Sequence, residues 1–155
     1  MKIAYLHGLE SDNIGPKNDW LKNVAEVYDP LINYNEKGIY KRLLKEVKEF
    51  APDIIIGSSM GGYFSYEIAK TLSIPALLFN PALHSRSFQP DTTGLSGNWN
   101  NPKMHIVFGK TDDVINPHRT LDLIDQKKMT WEFFNHAHQT PSKVFIREVK
   151  KFAKL

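Results

Sequence analysis

The stretch from residue 53 to residue 62, DIIIGSSMGG, constrains the fold more than any other part of the sequence. A β-branched apolar run leads into GSSMG, the G-x-S-x-G pattern of a nucleophile elbow. In an elbow, a serine occupies a sharp turn between a strand and a helix. Glycines lie two residues away on both sides because a side chain there would collide with neighbouring backbone. Ser59 has Gly57 and Gly61 at these positions, whereas Ser58 has an isoleucine and a methionine. The pattern therefore predicts a strand-turn-helix unit that exposes the Ser59 hydroxyl.

Short apolar runs alternate with helical patterns along the chain. The apolar runs predict six strands, at residues 2–6, 27–32, 53–56, 75–79, 104–108 and 131–134. The helical spacing of apolar residues predicts helices at residues 20–27, 35–50, 61–72, 117–127 and 144–155. This alternation predicts an α/β fold, a three-layer α/β/α sandwich with a mostly parallel sheet of about six strands. A chain of 155 residues is expected to form a single domain over residues 1–155.

The composition argues against several classes of protein. There is no cysteine, so a disulfide, a thiol nucleophile and a cysteine-based zinc site are excluded. The net charge is only +3 and the lysines are scattered, so we expect no nucleic-acid partner. No apolar stretch is long enough to span a bilayer, and the N-terminus lacks an apolar signal region. We therefore expect no membrane partner and a cytoplasmic location.

A serine hydroxyl needs a base to take its proton, and that base needs a carboxylate to hold its tautomer. In elbow enzymes the three groups follow the order serine, acid, histidine along the chain. The segment FGKTDDVINP offers Asp112 or Asp113 after the fifth strand, and we favour Asp112; both could instead cap the helix that follows. The segment FFNHAHQT offers His136 or His138 after the last strand. We favour His138 because it lies further beyond the strand, where a loop can carry the imidazole over the elbow.

Backbone amides could stabilise an oxyanion beside Ser59. The amide of Met60, at the start of the helix after the elbow, is one expected donor. The turn after the first strand, Leu6-His7-Gly8-Leu9, is expected to present the amide of Leu9 as the second. The His7 side chain is expected to brace this turn.

These segments resemble the α/β-hydrolase superfamily. The resemblance is carried, in chain order, by YLHGLES, IIGSSMGGYFS, FGKTDDVI and NHAHQ, and the stretch from the elbow through ALLFNPAL is similar to small, single-domain bacterial esterases. The resemblance implies Ser59 as nucleophile, Asp112 as acid and His138 as base, with the Met60 and Leu9 amides forming the oxyanion hole. It implies no cofactor and no metal.

The sequence departs from the usual pattern of that superfamily. It starts at the strand before the HG turn, without the N-terminal antiparallel strands that are common there, and it has no large cap domain. A reduced fold without a large cap is therefore expected. The polar stretch 84–102 occupies the place where a cap is often inserted, and it could form a small lid walled by Phe88, Leu95 and Trp99; the alternative is a surface loop without a role.

The leading hypothesis is a serine esterase that acts on a small-molecule acyl ester. A thioesterase or peptidase would use the same three side chains, and a non-catalytic protein of the same fold would use the elbow only for packing. A phosphate could also bind the glycine-rich turn at residues 57–62. A metal bound by His136 and His138 with a nearby aspartate is a further, less supported alternative. The sequence leaves the oligomeric state open.

Overall fold

The computed structural model describes residues 1–97 and 100–155. Six strands are found in these residues: β1 (Lys2–Leu6), β2 (Glu26–Tyr28), β3 (Ile54–Ser58), β4 (Ala76–Phe79), β5 (Met104–Gly109) and β6 (Thr130–Phe134). Five helices connect and follow them: α1 (Pro16–Val24), α2 (Ile39–Phe50), α3 (Met60–Leu72), α4 (Pro117–Leu123) and α5 (Ser142–Ala153).

The six strands form one parallel sheet in the order β2-β1-β3-β4-β5-β6. The chain adds β2 on one side of β1 and all later strands on the other. The sheet therefore has a topological switch point between β1 and β3, where ligands of such sheets bind beyond the carboxyl ends of the strands. The predicted parallel α/β sandwich is confirmed.

Side chains alternate between the two faces of the sheet because successive residues of a strand point to opposite sides. In β1, Ile3 and Tyr5 join a core with α1 and α5, whereas Ala4 and Leu6 join a core with α2 and α3. The two cores are fully enclosed at their centres; their largest buried side chains include Phe79, Phe145, Leu21, Tyr40, Phe64 and Phe108. The helices thus cover both faces, as the near-continuous apolar strands predicted.

Several predicted boundaries differ from the structure. Helix α1 ends at Val24 because Ala25 is already extended, so Val27 belongs to β2 and not to the helix. Strand β2 stops at Tyr28 and does not reach residue 32; proline cannot donate to a ladder, and Pro30 lies just beyond. Helix α2 starts at Ile39, later than predicted, after Gly38 adopts a left-handed conformation.

The segment 84–102 has no helix or strand among its described residues. Phe88 and Leu95 pack against the core on the α2/α3 face and do not line the cleft described below, so the predicted lid walls are wrong for these two residues. The third predicted wall, Trp99, lies outside the described residues. Within residues 1–97 and 100–155, none of the helices combines the length and apolar character needed to cross a membrane.

Candidate active site

The turn between β3 and α3 consists of a single residue, Ser59. Its backbone has φ 53° and ψ −116°, a region that non-glycine residues rarely occupy and that stores strain. A Cβ on Gly57 would lie 2.3 Å from the Ser65 Oγ, and a Cβ on Gly61 would lie 2.1 Å from the Leu6 carbonyl oxygen. Both glycines are therefore required by close packing, which is the physical content of the G-x-S-x-G pattern.

Three side chains from distant segments meet above this turn. The Ser59 Oγ lies 2.9 Å from the Nε2 of His138, and the Nδ1 of His138 lies 2.8 Å from the Oδ2 of Asp112. Because an ionised carboxylate only accepts hydrogen bonds, the Nδ1 of His138 carries the proton that it donates to Asp112. The Nε2 then has its lone pair directed at the Ser59 hydroxyl, which donates to it.

Asp112 is held in place by more than the imidazole. Its other carboxylate oxygen accepts hydrogen bonds from the amides of Val114 (2.9 Å) and Ile115 (2.8 Å), and its side chain is only 1% exposed. Burial alone would raise the pKa of this carboxyl, but the hydrogen bonds from His138 and from the two amides outweigh it and lower the pKa. Asp112 is therefore ionised at neutral pH. The alternative acid, Asp113, is exposed.

The alternative histidine, His136, has a different environment. Its side chain is buried against Phe134, and its Nδ1 donates to the carbonyl of Ala137 at 2.7 Å. Its ring makes no hydrogen bond to Ser59 or to Asp112 among the described residues. The structure therefore brings His138, and not His136, to the elbow.

Asn80 fixes the loop that carries His138, and the sequence analysis missed it. It is 1% exposed and directly follows β4 at the same edge of the sheet, with a positive φ of 42°. Its Nδ2 donates to the carbonyl of His138 at 2.7 Å, and its Oδ1 accepts from the Gly109 amide at 2.7 Å. One side chain thus ties the end of β5 to the histidine loop. Its position at a carboxyl strand end was the available signal, since ligand sites lie there.

The two residues expected to supply amide donors line the same cleft as Ser59. Met60 begins α3, and neither its amide nor that of Leu9 donates a hydrogen bond to another described residue. The HG turn comes close to the elbow, since a Cβ on Gly8 would lie 3.4 Å from the Cβ of Ser59. The His7 ring braces this turn: its Nδ1 is 2.7 Å from the Gly8 carbonyl, and its Nε2 accepts from the amide of Ile32 at 2.9 Å.

A cleft of about 760 Å³ opens over Ser59, His138, Leu9 and Met60. Its remaining walls come mostly from the turn after β1, the start of α1, the segment after β4 and the start of α5. Polar side chains are prominent among them, including Glu10, Asp12, Lys17, Asn18, Ser85, Arg86 and Gln139. Apolar side chains line the cleft as well, and include Tyr5, Ile14, Ala82 and Val114.

Comparisons with known proteins agree with this fold. The model of an uncharacterised protein family, UPF0227, matches residues 2–103. A UPF0227 protein from Vibrio vulnificus strain CMCP6 is 35% identical over 94 aligned residues, and the match covers 53% of this chain and 51% of that protein; a protein from strain YJ016 of the same species matches equally well. The chain thus spans about half the length of the curated relatives that it matches.

Solved structures match nearly the whole chain at low identity. A protein of the alpha/beta hydrolase superfamily from Xanthomonas campestris pv. campestris has a TM-score of 0.73 at 16% identity, with 97% of both chains covered. Est1E from Butyrivibrio proteoclasticus has a TM-score of 0.74 at 15% identity, covering 99% of this chain and 86% of the other. The thioesterase RedJ from the prodiginine biosynthetic pathway of Streptomyces coelicolor has a TM-score of 0.67 at 11% identity, with 99% and 86% covered.

These neighbours establish the fold. The chain has the α/β-hydrolase fold, as the sequence resemblance predicted. The structural neighbours include esterases and a thioesterase, and at 11–16% identity they carry no information on the substrate of this chain.

Proposed function

This chain belongs to the uncharacterised protein family UPF0227, and we propose from the geometry of its site that it is a serine hydrolase that cleaves carboxylic esters through an acyl-enzyme on Ser59. The observation that carries this proposal is the unbroken chain of hydrogen bonds from the Ser59 hydroxyl through His138 to Asp112. Serine is a weak nucleophile without such a base, and the imidazole is held in the one tautomer that can accept its proton.

In the first half of the reaction, the Ser59 oxygen attacks the ester carbonyl carbon while the Nε2 of His138 takes the hydroxyl proton. His138 becomes an imidazolium, which the ionised Asp112 stabilises across 2.8 Å. The carbonyl oxygen becomes an oxyanion, which accepts hydrogen bonds from the amides of Met60 and Leu9. Neither amide donates a hydrogen bond to another described residue, which supports this role.

The bond between the carbonyl carbon and the leaving oxygen then breaks, and the imidazolium gives its proton to the departing alcohol. The acyl group remains on Ser59. In the second half of the reaction, a water molecule attacks this acyl group while His138 takes one of the water protons, and the carboxylic acid leaves as the Ser59 hydroxyl regains a proton. Apart from the ester itself, the steps of this cycle use only groups of this chain and water.

The proposed substrate is an ester with a short acyl chain. A long acyl chain would need an extended apolar wall, since burying each methylene is worth about 0.8 kcal/mol. The lining of the cleft over Ser59 mixes apolar side chains, such as Ile14 and Val114, with charged and amide side chains. This supports a small acyl group and a polar remainder of the substrate.

A fluorophosphonate probe tests the proposal because it reacts with serines activated by a neighbouring base. We expect labelling of the wild-type protein, mapped by peptide mass spectrometry to Ser59, and no labelling of Ser59→Ala. The matched variant Ser58→Ala removes the neighbouring hydroxyl and should keep the label. Hydrolysis of p-nitrophenyl acetate should disappear in Ser59→Ala. A folded wild-type protein that is not labelled, with the same ester turnover in Ser59→Ala, would contradict the proposal.

A further inference from the structure

A second group of histidine and carboxylate side chains lies away from the cleft. His105 is near the start of β5, Glu132 is in β6, and Glu148 is in α5; we call these three residues the His105 cluster. One potential ligand atom from each lies within 4.8 Å of the others. The cluster is near the amino end of β5, whereas Ser59 is at the carboxyl ends of the strands.

The Nδ1 of His105 has a partner within the protein. It lies 2.8 Å from the Thr130 hydroxyl, which also lies 3.4 Å from the Met104 carbonyl oxygen. The Nε2 is therefore the ring nitrogen that is available to a further ligand.

Glu148 faces the Nε2 of His105. Its side chain is only 1% exposed, and its Oε1 accepts from the Nε of Arg147 at 2.9 Å. Its Oε2 lies 3.8 Å from the Nε2 of His105, and both atoms are buried without a hydrogen-bond partner among the described residues. Two buried polar atoms without hydrogen-bond partners are unfavourable unless a ligand satisfies them.

We propose that the His105 cluster binds a divalent first-row transition metal, Zn²⁺ before the others, through the Nε2 of His105, the Oε2 of Glu148 and a carboxylate oxygen of Glu132. The mixture of imidazole and carboxylate donors suits Zn²⁺, which takes three protein ligands and a water in a tetrahedral site. The Thr130 hydroxyl, 2.8 Å from the Nδ1 of His105, is the kind of outer partner that orients a ligating histidine.

The distances are compatible with such a site. Ligands about 2.0–2.1 Å from a tetrahedral zinc ion are about 3.4 Å from each other. The separation of 3.8 Å between His105 and Glu148 is close to this value, and both side chains are anchored by neighbours. Glu132 is 41% exposed, so its side chain has the freedom to close the remaining gap.

Lys151 is the competitor for this site. Its ammonium lies 2.9 Å from the Oε2 of Glu132 and 3.8 Å from the Oε2 of Glu148, and it is 63% exposed. A metal ion must displace this ammonium from Glu132, and the long exposed side chain can swing into solvent. Removal of the Lys151 charge should therefore strengthen metal binding. If the cluster forms only surface ion pairs and binds no metal, this substitution has no such effect.

Bound metal would connect α5 to β5 and β6, and it would stabilise the folded chain by mass action. Helix α5 begins four residues after His138, so the metal would anchor the element that follows the histidine loop. The metal takes no part in the ester chemistry proposed for Ser59. The two proposals can therefore succeed or fail separately.

Binding of the metal alone tests the proposal. Metal-free protein is titrated with Zn²⁺ by calorimetry, and with Co²⁺ by the visible ligand-field bands of a tetrahedral site. We expect one site per chain and a rise in melting temperature that saturates with Zn²⁺. His105→Gln and Glu132→Gln should abolish this site, and Thr130→Val, which removes only the orienting hydroxyl, should weaken it by about 10- to 100-fold.

A pair of lysine variants separates a built site from adventitious binding. Lys151→Gln should bind Zn²⁺ more tightly than wild type. Lys150→Gln makes the same charge change on the exposed side of the same helix, outside the cluster, and should bind as wild type does. The proposal is overturned if no saturable site is found, if Glu132→Gln binds as tightly as wild type while folded, or if the two lysine variants behave alike.

Discussion

Two histidines in this molecule face carboxylates, and their surroundings differ in one respect. At His138 both ring nitrogens have partners, Asp112 on one side and the Ser59 hydroxyl on the other. At His105 the Nδ1 lies 2.8 Å from the Thr130 hydroxyl, and the Nε2 lies 3.8 Å from the carboxylate of Glu148, beyond hydrogen-bond distance. A ring with hydrogen-bond partners on both nitrogens can pass a proton, whereas a buried ring nitrogen beside a carboxylate and without a partner is suited to bind a cation.

The largest expected effect is the loss of the base. His138→Gln should lower kcat for p-nitrophenyl acetate by about 10⁴- to 10⁶-fold, because no other described group lies within hydrogen-bond distance of the Ser59 hydroxyl. His118→Gln, a change of the same type at an exposed histidine, serves as the control and should leave kcat within about twofold. Equal rates in both variants would show that His138 moves no proton.

Removal of the orienting carboxylate is expected to have the next largest effect. Asp112→Asn should reduce kcat by about 10⁴-fold, because the amide favours the wrong tautomer of His138 and cannot stabilise its charged form. Asp113→Asn is the matched control at the exposed neighbouring position, and its steady-state rate should be close to wild type. A large loss in the control, with none in Asp112→Asn, would reverse the assignment of the acid.

A smaller effect is expected from the residue that positions the histidine loop. Asn80→Asp keeps the size of the side chain and its ability to accept from Gly109, but it places an oxygen against the His138 carbonyl at a 2.7 Å contact. The displaced loop should lower kcat by about 10²-fold with little change in KM, since misplacement by about 1 Å has effects of this size. A folded Asn80→Asp protein with the kcat of wild type would show that Asn80 does not position the loop that carries His138.

The smallest expected effect concerns stability and pH. The lowered pKa of Asp112 means that its ionised form stabilises the folded chain above the pKa of the unfolded state, and that this contribution is lost as pH falls through the lower folded value. The difference in unfolding free energy between wild type and Asp112→Asn should therefore shrink as the pH falls from 6 towards 3. Urea titrations at several pH values measure this difference in unfolding free energy. A difference that grows towards acid pH would contradict the stabilising role of the hydrogen bonds to the Asp112 carboxylate.

The sequence predicted the sheet well because its evidence is local. Short β-branched runs such as residues 54–56 read as strands without knowledge of their neighbours, and the elbow identified Ser59 because its flanking glycines are a steric requirement. The end of α1 was harder: Val27 continues the helical spacing by chance, while the actual end depends on the extended conformation of Ala25 and on pairing of β2 with β1.

Contacts between distant segments were harder to predict. The structure brings Asp112 and His138 to Ser59, and the sequence could name them only because the order of such residues along the chain was known. Asn80 has no comparable pattern, since its role depends on two backbone groups that come close only in the folded sheet. The sequence analysis also missed the His105 cluster, because its members lie on three different elements and form no recognisable spacing pattern along the chain.

Capture of the acyl-enzyme tests the central claim most directly. The protein is mixed rapidly with excess p-nitrophenyl acetate, quenched with acid during the first turnover, and analysed by intact-mass and peptide mass spectrometry. The account predicts a burst of about one nitrophenolate per chain and one acetyl group that maps to Ser59. Steady release of nitrophenolate by a protein that never carries an acetyl group, or that carries it on a residue other than Ser59, would contradict the account.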